Sequence, residues 1–532
     1  MQTTRVLIVG GGSAGWMAAA YLDAALNHSG ERNVDIALVE SPDVPRIGVG
    51  EATIPSINHI LAAIGIDEKD FMRRTEATFK QAIKFTNWVH PQDDGYYHAF
   101  GRFTPTPLDD AGAHWLRSDR SIPFMETISA QPRLCEWNLS PQMLGRWDFG
   151  AKLTYAFHMN ALKFADYLSE VAVSRGVRHV LANVAGIELA ENGDIANVQT
   201  DTGETLVAEL YIDCTGFAAL LMEQTLGVKW VDFSEWLLCD RALVMPVPYE
   251  THYPGFVRPY TLSTALSSGW VWDIPLHSRR GVGYVHSSAF ISEDEAEQEI
   301  KAYEGAHADD LDTRMVHFKV GMREKAWFRN CIAVGLSGGF LEPLESTGLY
   351  LSDLATVLLT ELFPHRGHME QLALRYNRIM SNRFYEVLDF INMHYCLTQR
   401  RDTPFWREVS RPERINDRLK AKLEFWRSKP VAHADFEDQL MPGQAFTATG
   451  IGKMDTRSPI DTGKLFTRSS YEAVMYGMDF LRDECREWYG DDLPQTGVHR
   501  RIAERLNQAP SKLPPHDLWL QRMVGMPAYS AA

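Results

Sequence analysis

The opening 26 residues constrain the fold more than any other stretch of the chain. Val6 to Val9 is a short apolar run with β-branched ends, Gly10-Gly-Gly-Ser-Ala-Gly15 follows at once, and Trp16 to Leu26 is rich in alanine and leucine. Strand, glycine turn and helix in that order form the first unit of a dinucleotide-binding fold. Gly10, Gly12 and Gly15 permit a tight turn, close approach of backbone to a pyrophosphate, and close packing of helix on strand. Ser13 and Ala14 complete the turn, where the helix N-terminus offers amide donors to phosphate. A second strand, Val34 to Val39, runs into Glu40, whose carboxylate is placed to accept from a ribose hydroxyl. A lone Gly-x-Gly-x-x-Gly is weak; the matching elements on both sides give this one its weight.

Later segments favour flavin over nicotinamide. Leu210-Tyr-Ile-Asp-Cys-Thr-Gly216 reads as a strand entering a Thr-Gly turn, and Ile332-Ala-Val-Gly335, followed by Leu336, as another strand ending in glycine. Separated by more than a hundred residues, they resemble the scattered flavin contacts of the FAD-dependent monooxygenase fold, which inserts substrate-binding strands between its nucleotide-binding pieces. Val184 falls where such folds place a backbone contact to adenine. The expected fold class is therefore α/β with α+β insertions. A Rossmann-type FAD-binding domain with inserted substrate strands is expected over residues 1–370, and a mainly helical substrate-covering module over 371–532.

Composition narrows the partners. With 45% hydrophobic and 23% charged residues the chain matches a globular protein, and no segment offers the roughly 18 uninterrupted apolar residues of a membrane span. No basic leader or small-residue cleavage site precedes the glycine turn, so a cytoplasmic location is expected. A formal charge of −16 repels phosphate backbones, which argues against nucleic acid. The six cysteines lie far apart, with no Cys-x-x-Cys pair and no metal-like Cys/His spacing; they read as reduced thiols, and no metal is expected.

Seven stretches in order along the chain carry a more specific signal: Gly10 to Met17, Arg46-Ile-Gly-Val-Gly-Glu-Ala-Thr53, Tyr97-His-Ala-Phe100, Asp213 to Phe217, Trp270-Val-Trp-Asp-Ile-Pro275, Glu342-Pro-Leu-Glu-Ser-Thr-Gly348 and Arg401-Asp-Thr-Pro-Phe-Trp406. With them the sequence resembles the flavin-dependent tryptophan halogenases, from residue 6 to about 410. In that family reduced FAD reacts with O2 to give a flavin hydroperoxide, chloride or bromide attacks its distal oxygen, and the hypohalous acid travels through the protein to an aromatic substrate.

The resemblance implies roles for particular residues. Lys80 matches the essential lysine, which orients hypohalous acid by hydrogen bonding or forms a haloamine; read in isolation it is a solvated surface lysine. Lys84 would share its face if the segment were helical, yet only Lys80 aligns with the family motif. Glu345 matches the glutamate that stabilises the cationic arenium and takes its proton. Thr347 and Gly348 match the halide ligands, and His98 and Phe100 flank the substrate ring. Trp270 and Trp272, on one face of a strand, form a wall between flavin and substrate. Beside the glycine-turn residues and Glu40, the flavin contacts expected are Arg46, Gly48, Ala52, Val184, Leu336 and Leu349. The sequence holds no second nucleotide fingerprint for NAD(P)H, so a separate NAD(P)H-dependent flavin reductase is expected to supply FADH2.

Beyond Arg411 the pattern changes to amphipathic helices, Glu413 to Arg427 and Tyr471 to Trp488, joined by a Gly/Thr/Ser/Pro-containing stretch from Pro442 to Gly463. Relatives acting on free tryptophan carry here a Tyr-Tyr pair and a glutamate that bind the amino acid's charged groups. This chain reads His433-Ala-Asp-Phe-Glu-Asp-Gln-Leu-Met-Pro-Gly-Gln444, where Asp435 and Glu437 offer themselves for an ammonium. The expected substrate is an indole: tryptophan, a derivative, a peptide-borne residue or a simple indole. Two alternatives stay open, an aromatic hydroxylase on the same fold and a flavin-binding protein without turnover, and a homodimer is compatible with all of them.

Overall fold

Arg5–Val9 is buried over four of its five residues, as a strand covered on both faces must be, and it sits inside a six-stranded sheet. The order is Trp327–Phe328, Cys331–Ala333, Leu210–Asp213, Arg5–Val9, Asp35–Glu40, Arg178–Leu181. All pairings are parallel except the first, with Val6 opposite both Leu210 and Ile36. The strands expected at residues 6–9, 34–39, 210–216 and 332–335 thus become neighbours in one sheet. This computed structural model describes residues 4–28, 32–46, 48, 50–93, 95–102, 111–145, 153–367, 369–432, 435, 465–481 and 497–530.

Helix Ser13–Leu26 leaves the glycine turn and packs its Trp16-Met-Ala-Ala-Ala20 run into the core beside helices Ala161–Ser174 and Gly348–Glu361. Small alanines let three helices approach one another closely over the sheet. The chain then departs into a seven-stranded sheet ordered Arg314–His317, Arg241–Pro248, Arg279–His286, Gly269–Pro275, Thr261–Ala265, Ala82–Thr86, Tyr96–Ala99. Every residue of Gly269–Pro275 is buried, so this strand has protein on both faces. Thr78–Lys80 and Gly50–Ala52 flank Ala156–Asn160 in a three-stranded sheet that brings the first sheet's territory to the second.

The segment holding Lys80 is extended: Lys80 ends one strand, Lys84 lies in the next, and Lys84 pairs with Glu136 at 2.6 Å near the surface. The helical arrangement that would have put the two lysines on one face does not form.

The C-terminal part is helical where it is described. Met369–Cys396 runs for 28 residues, and Asn416 caps Asp417–Trp426 by accepting from Leu419 N, so the first expected amphipathic helix starts after a single turn at Pro412–Arg414. The second spans Arg468–Gly477 and stops earlier than the sequence pattern suggests. Met478 caps it, and Asp479 and Leu481 turn the chain through positive φ. Residues 482–488 of that expected helix, the stretch Pro442–Gly463, Glu437, Cys485 and the segment His433–Gln444 apart from Asp435 lie outside the described residues. The other five cysteines are free, and no described helix is long and apolar enough to cross a membrane.

Candidate functional site: a flavin cavity and an adjoining aromatic chamber

A cavity of about 720 Å³ opens where the strands of the parallel sheet meet helix Ser13–Leu26. Its wall includes Gly10, Gly12, Ser13, Ala14, Glu40, Arg46, Ala52, Val184, Leu336 and Leu349, which are all but two of the flavin contacts expected from sequence, together with Gly348, expected from the resemblance to bind halide. The two exceptions lie behind the wall: a Cβ on Gly15 would strike Gly10 O at 2.0 Å, and one on Gly48 would meet Leu162 at 2.6 Å. Gly15 therefore serves the packing of helix on turn.

The lining fits a flavin dinucleotide. Gly10 holds φ +113° with Cys214 O only 2.3 Å from a notional Cβ, while a Cβ on Gly12 would meet nothing within 4 Å and would project into open space. Bare backbone at Gly12, at the N-terminus of a 14-residue helix, is a cradle for phosphate. Glu40 sits opposite. Its carboxylate accepts from Arg46 Nε at 2.8 Å and Trp16 Nε1 at 3.3 Å and faces His179 at 3.2 Å, so any ribose hydroxyl would join a network already built. Asp213 holds the turn below it, accepting from the amides of Thr215, Leu221 and Met222.

Glu342 to Gly348 closes one end of the cavity and opens a second compartment. Pro343–Glu345 makes one tight turn, and Ser346 leaves it at φ +59°, a conformation that side chains other than glycine rarely adopt. The turn sends neighbouring side chains in opposite directions. Ser346 and Gly348 line the flavin cavity; Glu345, two per cent exposed, points away from it.

Glu345 is held by two imidazoles. His98 Nδ1 donates to Oε2 at 2.8 Å and His394 Nε2 to Oε1 at 2.9 Å, and Tyr96 OH donates to His394 Nδ1 at 2.8 Å. Donation to a carboxylate fixes these tautomers. Burial opposes ionisation of Glu345, but the neighbouring His98 and His394 outweigh it and hold the group at about 2. It is a carboxylate at any working pH.

Lys80 is fully buried, which removes the solvated-surface reading. Nζ donates to Thr53 O at 3.0 Å and to Ser346 Oγ at 2.7 Å, and lies 5.1 Å from the centre of the Phe100 ring. Burial pushes its ammonium down from 10.5 to about 7 against the pull of Glu345. Lys80, Glu345, His98 and Phe100 therefore converge as the sequence motifs implied. Phe390 and Phe466 stack at 3.7 Å beside His98 and extend the aromatic lining.

The tryptophans divide the labour. Their rings lie 6.2 Å apart on one face of strand Gly269–Pro275. Trp272 lines the flavin cavity, lying across Gly283 of the adjacent strand, where a Cβ would sit 2.1 Å from the indole. Trp270 lies outside that lining and donates to Glu342 Oε2 at 3.1 Å. Tyr395 donates to the same carboxylate, and burial raises Glu342 to about 7. Glu342 thus ties the wall to the turn that carries Glu345.

Thr347 does not line the cavity, yet its Oγ1 is buried without a partner at the N-terminus of helix Gly348–Glu361. The first amides of that helix have no intrahelical acceptor, so a buried hydroxyl and free N–H groups meet at one point. That is a donor set for a small anion.

Several members of the site were not anticipated from sequence. His394 and Phe390 lie four residues apart, on one side of the long helix, a spacing common to any amphipathic helix. Thr53 contributes only its carbonyl, and Ser346 was seen as part of a turn without its bond to Lys80. Asp435, considered for an ammonium, already accepts from Trp426 Nε1, Lys429 Nζ and Ala432 N. Among the described residues no His, Cys, Asp and Glu cluster has the form of a metal site.

Comparison with known proteins agrees with this geometry. The tryptophan halogenase family profile matches residues 5–490. The chain is 37% identical over 455 residues to tryptophan 7-halogenase RebH of Lentzea aerocolonigenes, covering 82% of this chain and 84% of that one. It is 36% identical over 442 residues to tryptophan 6-halogenase ThaL of Streptomyces albogriseolus, covering 80% and 82%. A solved tryptophan halogenase from Shewanella frigidimarina superposes with a TM-score of 0.85 at 32% identity, covering 99% of each chain. From its glycine turn to its aromatic chamber, this chain belongs to the tryptophan halogenase family.

Proposed function

We propose that this flavin-dependent halogenase installs chlorine or bromine on an indole held between Lys80 and Glu345. The observation that carries the reading is the bond from Lys80 Nζ to Ser346 Oγ: one serine lines the flavin cavity and also touches the buried lysine of the chamber. Reduced flavin bound in the cavity would supply the oxygen activation that turns halide into hypohalous acid. Gly12 and its neighbours would hold the pyrophosphate, and Glu40 and Arg46 would lie toward the ribose. Thr347 Oγ1 and the amides at Gly348 would hold the halide.

The remaining chemistry belongs to side chains. Lys80 donates to the oxygen of hypohalous acid and turns its halogen toward the ring. The C–halogen bond forms as the O–halogen bond breaks, and the departing hydroxide takes a proton from the Lys80 ammonium. Glu345, kept ionised, stabilises the cationic ring and takes the proton from the substituted carbon, restoring aromaticity. Once Glu345 has released that proton to solvent and Lys80 has regained one, the products are halogenated indole and water. The Trp270/Trp272 wall keeps the ring from the flavin, which favours a travelling halogen species over direct oxygen transfer. Reduced flavin would come from a separate NAD(P)H-dependent reductase.

The test supplies the full chain with FAD, a flavin reductase, NADH, bromide and a panel of indoles, and reads product mass in parent and variants. Lys80→Ala should halogenate nothing while still binding FAD, and Glu345→Gln should slow turnover on the order of 10²-fold. Parental rates in both would remove this chamber from the chemistry.

A further inference from the structure

Arg102 lies two residues past Phe100, at the end of the chamber. Among the described residues its one hydrogen bond runs from Nη1 to Ser470 Oγ at 2.8 Å, and no carboxylate pairs with it. The residue keeps some accessible surface, and burial lowers its guanidinium to about 10 against the pull of Glu345 and Glu472. The two carboxylates it feels most are engaged elsewhere. Glu345 is held by His98 and His394, and Glu472 accepts from Arg468 Nε and Nη2, both at 3.0 Å.

A partly buried guanidinium without a counter-ion among the described residues has a carboxylate as its natural complement, which matches its planar fork with two parallel hydrogen bonds. Ser470 is buried and fixes Nη1, leaving the other nitrogens for a ligand. An indole stacked near His98 and Phe100 carries its ring substituent toward either Lys80 or the chamber end, and the halogenated edge must face Lys80.

We propose that Arg102, braced by Ser470, forms an anion subsite that takes the carboxylate of a ring-substituted indole, so that the enzyme selects carboxylate-bearing indoles. The inference rests on the indole reading of the chamber and narrows it. Free tryptophan and indole acids fit; tryptamine, simple indole and a tryptophan inside a peptide lack the required group. This subsite compensates for the missing Tyr-Tyr pair by a residue that follows the His-Ala-Phe motif rather than one in the C-terminal segment.

The test measures binding of indole-3-propionate and of 3-methylindole to the full chain by calorimetry, in parent, Arg102→Gln, Arg102→Lys and Ser470→Ala. The parent should prefer the acid by about tenfold or more. Arg102→Gln should collapse that preference, Arg102→Lys should retain part of it because the charge remains, and Ser470→Ala should weaken it less. Preference surviving Arg102→Gln, or a parent that binds the two equally or not at all, overturns the subsite. Turnover of both ligands by the parent is followed in parallel. A chain that prefers the acid yet halogenates neither keeps the subsite and overturns the indole-halogenase reading instead.

Discussion

Replacing Lys80 by Met should abolish halogenation and, at neutral pH or below, stabilise the protein. In the folded chain the ammonium titrates at about 7, against an ordinary value of 10.5. At 1.36 kcal/mol per pH unit, holding that charge in the chamber costs about 5 kcal/mol at low pH. Methionine fills a similar volume without the charge, but orphans Ser346 Oγ and Thr53 O, at about 1–2 kcal/mol each. The net gain is about 1–3 kcal/mol. With roughly 2.1 cal/mol/K of unfolding entropy per residue over 532 residues, that is a rise of about 1–3 °C in Tm.

The pH dependence is the sharper signature. Between about 7 and 10.5 the unfolded chain keeps a proton on this lysine that the folded chain has lost, so parental stability rises with pH across that window. Between about pH 6.5 and 9.5 the advantage of Lys80→Met should therefore fall by about 3 kcal/mol and vanish or reverse. Thermal unfolding of parent and variant, side by side at the two pH values, reads this directly. A variant less stable than its parent by the same margin at both would refute the claim that burial strains this ammonium.

The same lysine predicts that halogen transfer falls as pH rises through about 7, where the donor is lost, while Glu345, held at about 2, sets no acid limb above pH 4 or so; single-turnover rates with hypohalous acid supplied directly would show it. Gly283→Val should push Trp272 out of the wall, because a side chain there meets the indole at 2.1 Å, and hypohalous acid should then escape to an external trap at the expense of product. Gly12→Val should weaken FAD binding by at least tenfold with little change in Tm, because a Cβ there meets no protein within 4 Å and projects into the expected phosphate cradle.

The sequence was most legible where backbone geometry and local chemistry coincide. Gly10 and Gly12 pointed to a phosphate cradle because strand and helix stand on either side of them, and Glu345 and Lys80 stand in motifs that the fold brings together. What stayed hidden depends on contacts between distant segments. His394 reaches Glu345 from a helix nearly fifty residues on, and nothing in its local pattern separates it from a core histidine. Ser346 needed the turn's left-handed step to face Lys80. Arg102 reads as a surface arginine until Ser470, more than three hundred residues later, accepts a hydrogen bond from it. The early end of the second C-terminal helix escaped notice because its apolar spacing continues past Gly477, where Met478 caps the helix and Asp479 and Leu481 take positive φ.

The central claim is that the chamber delivers halogen, and not oxygen, to an aromatic ring. It is tested most directly by mass spectrometry of the product formed with FAD, a reductase, bromide, an indole acid and isotopically heavy dioxygen. The account predicts a product with bromine's twin isotopic peaks and no heavy oxygen, lost entirely in Lys80→Ala. Heavy oxygen in the ring, or bromination that persists at the parental rate in Lys80→Ala, would contradict it.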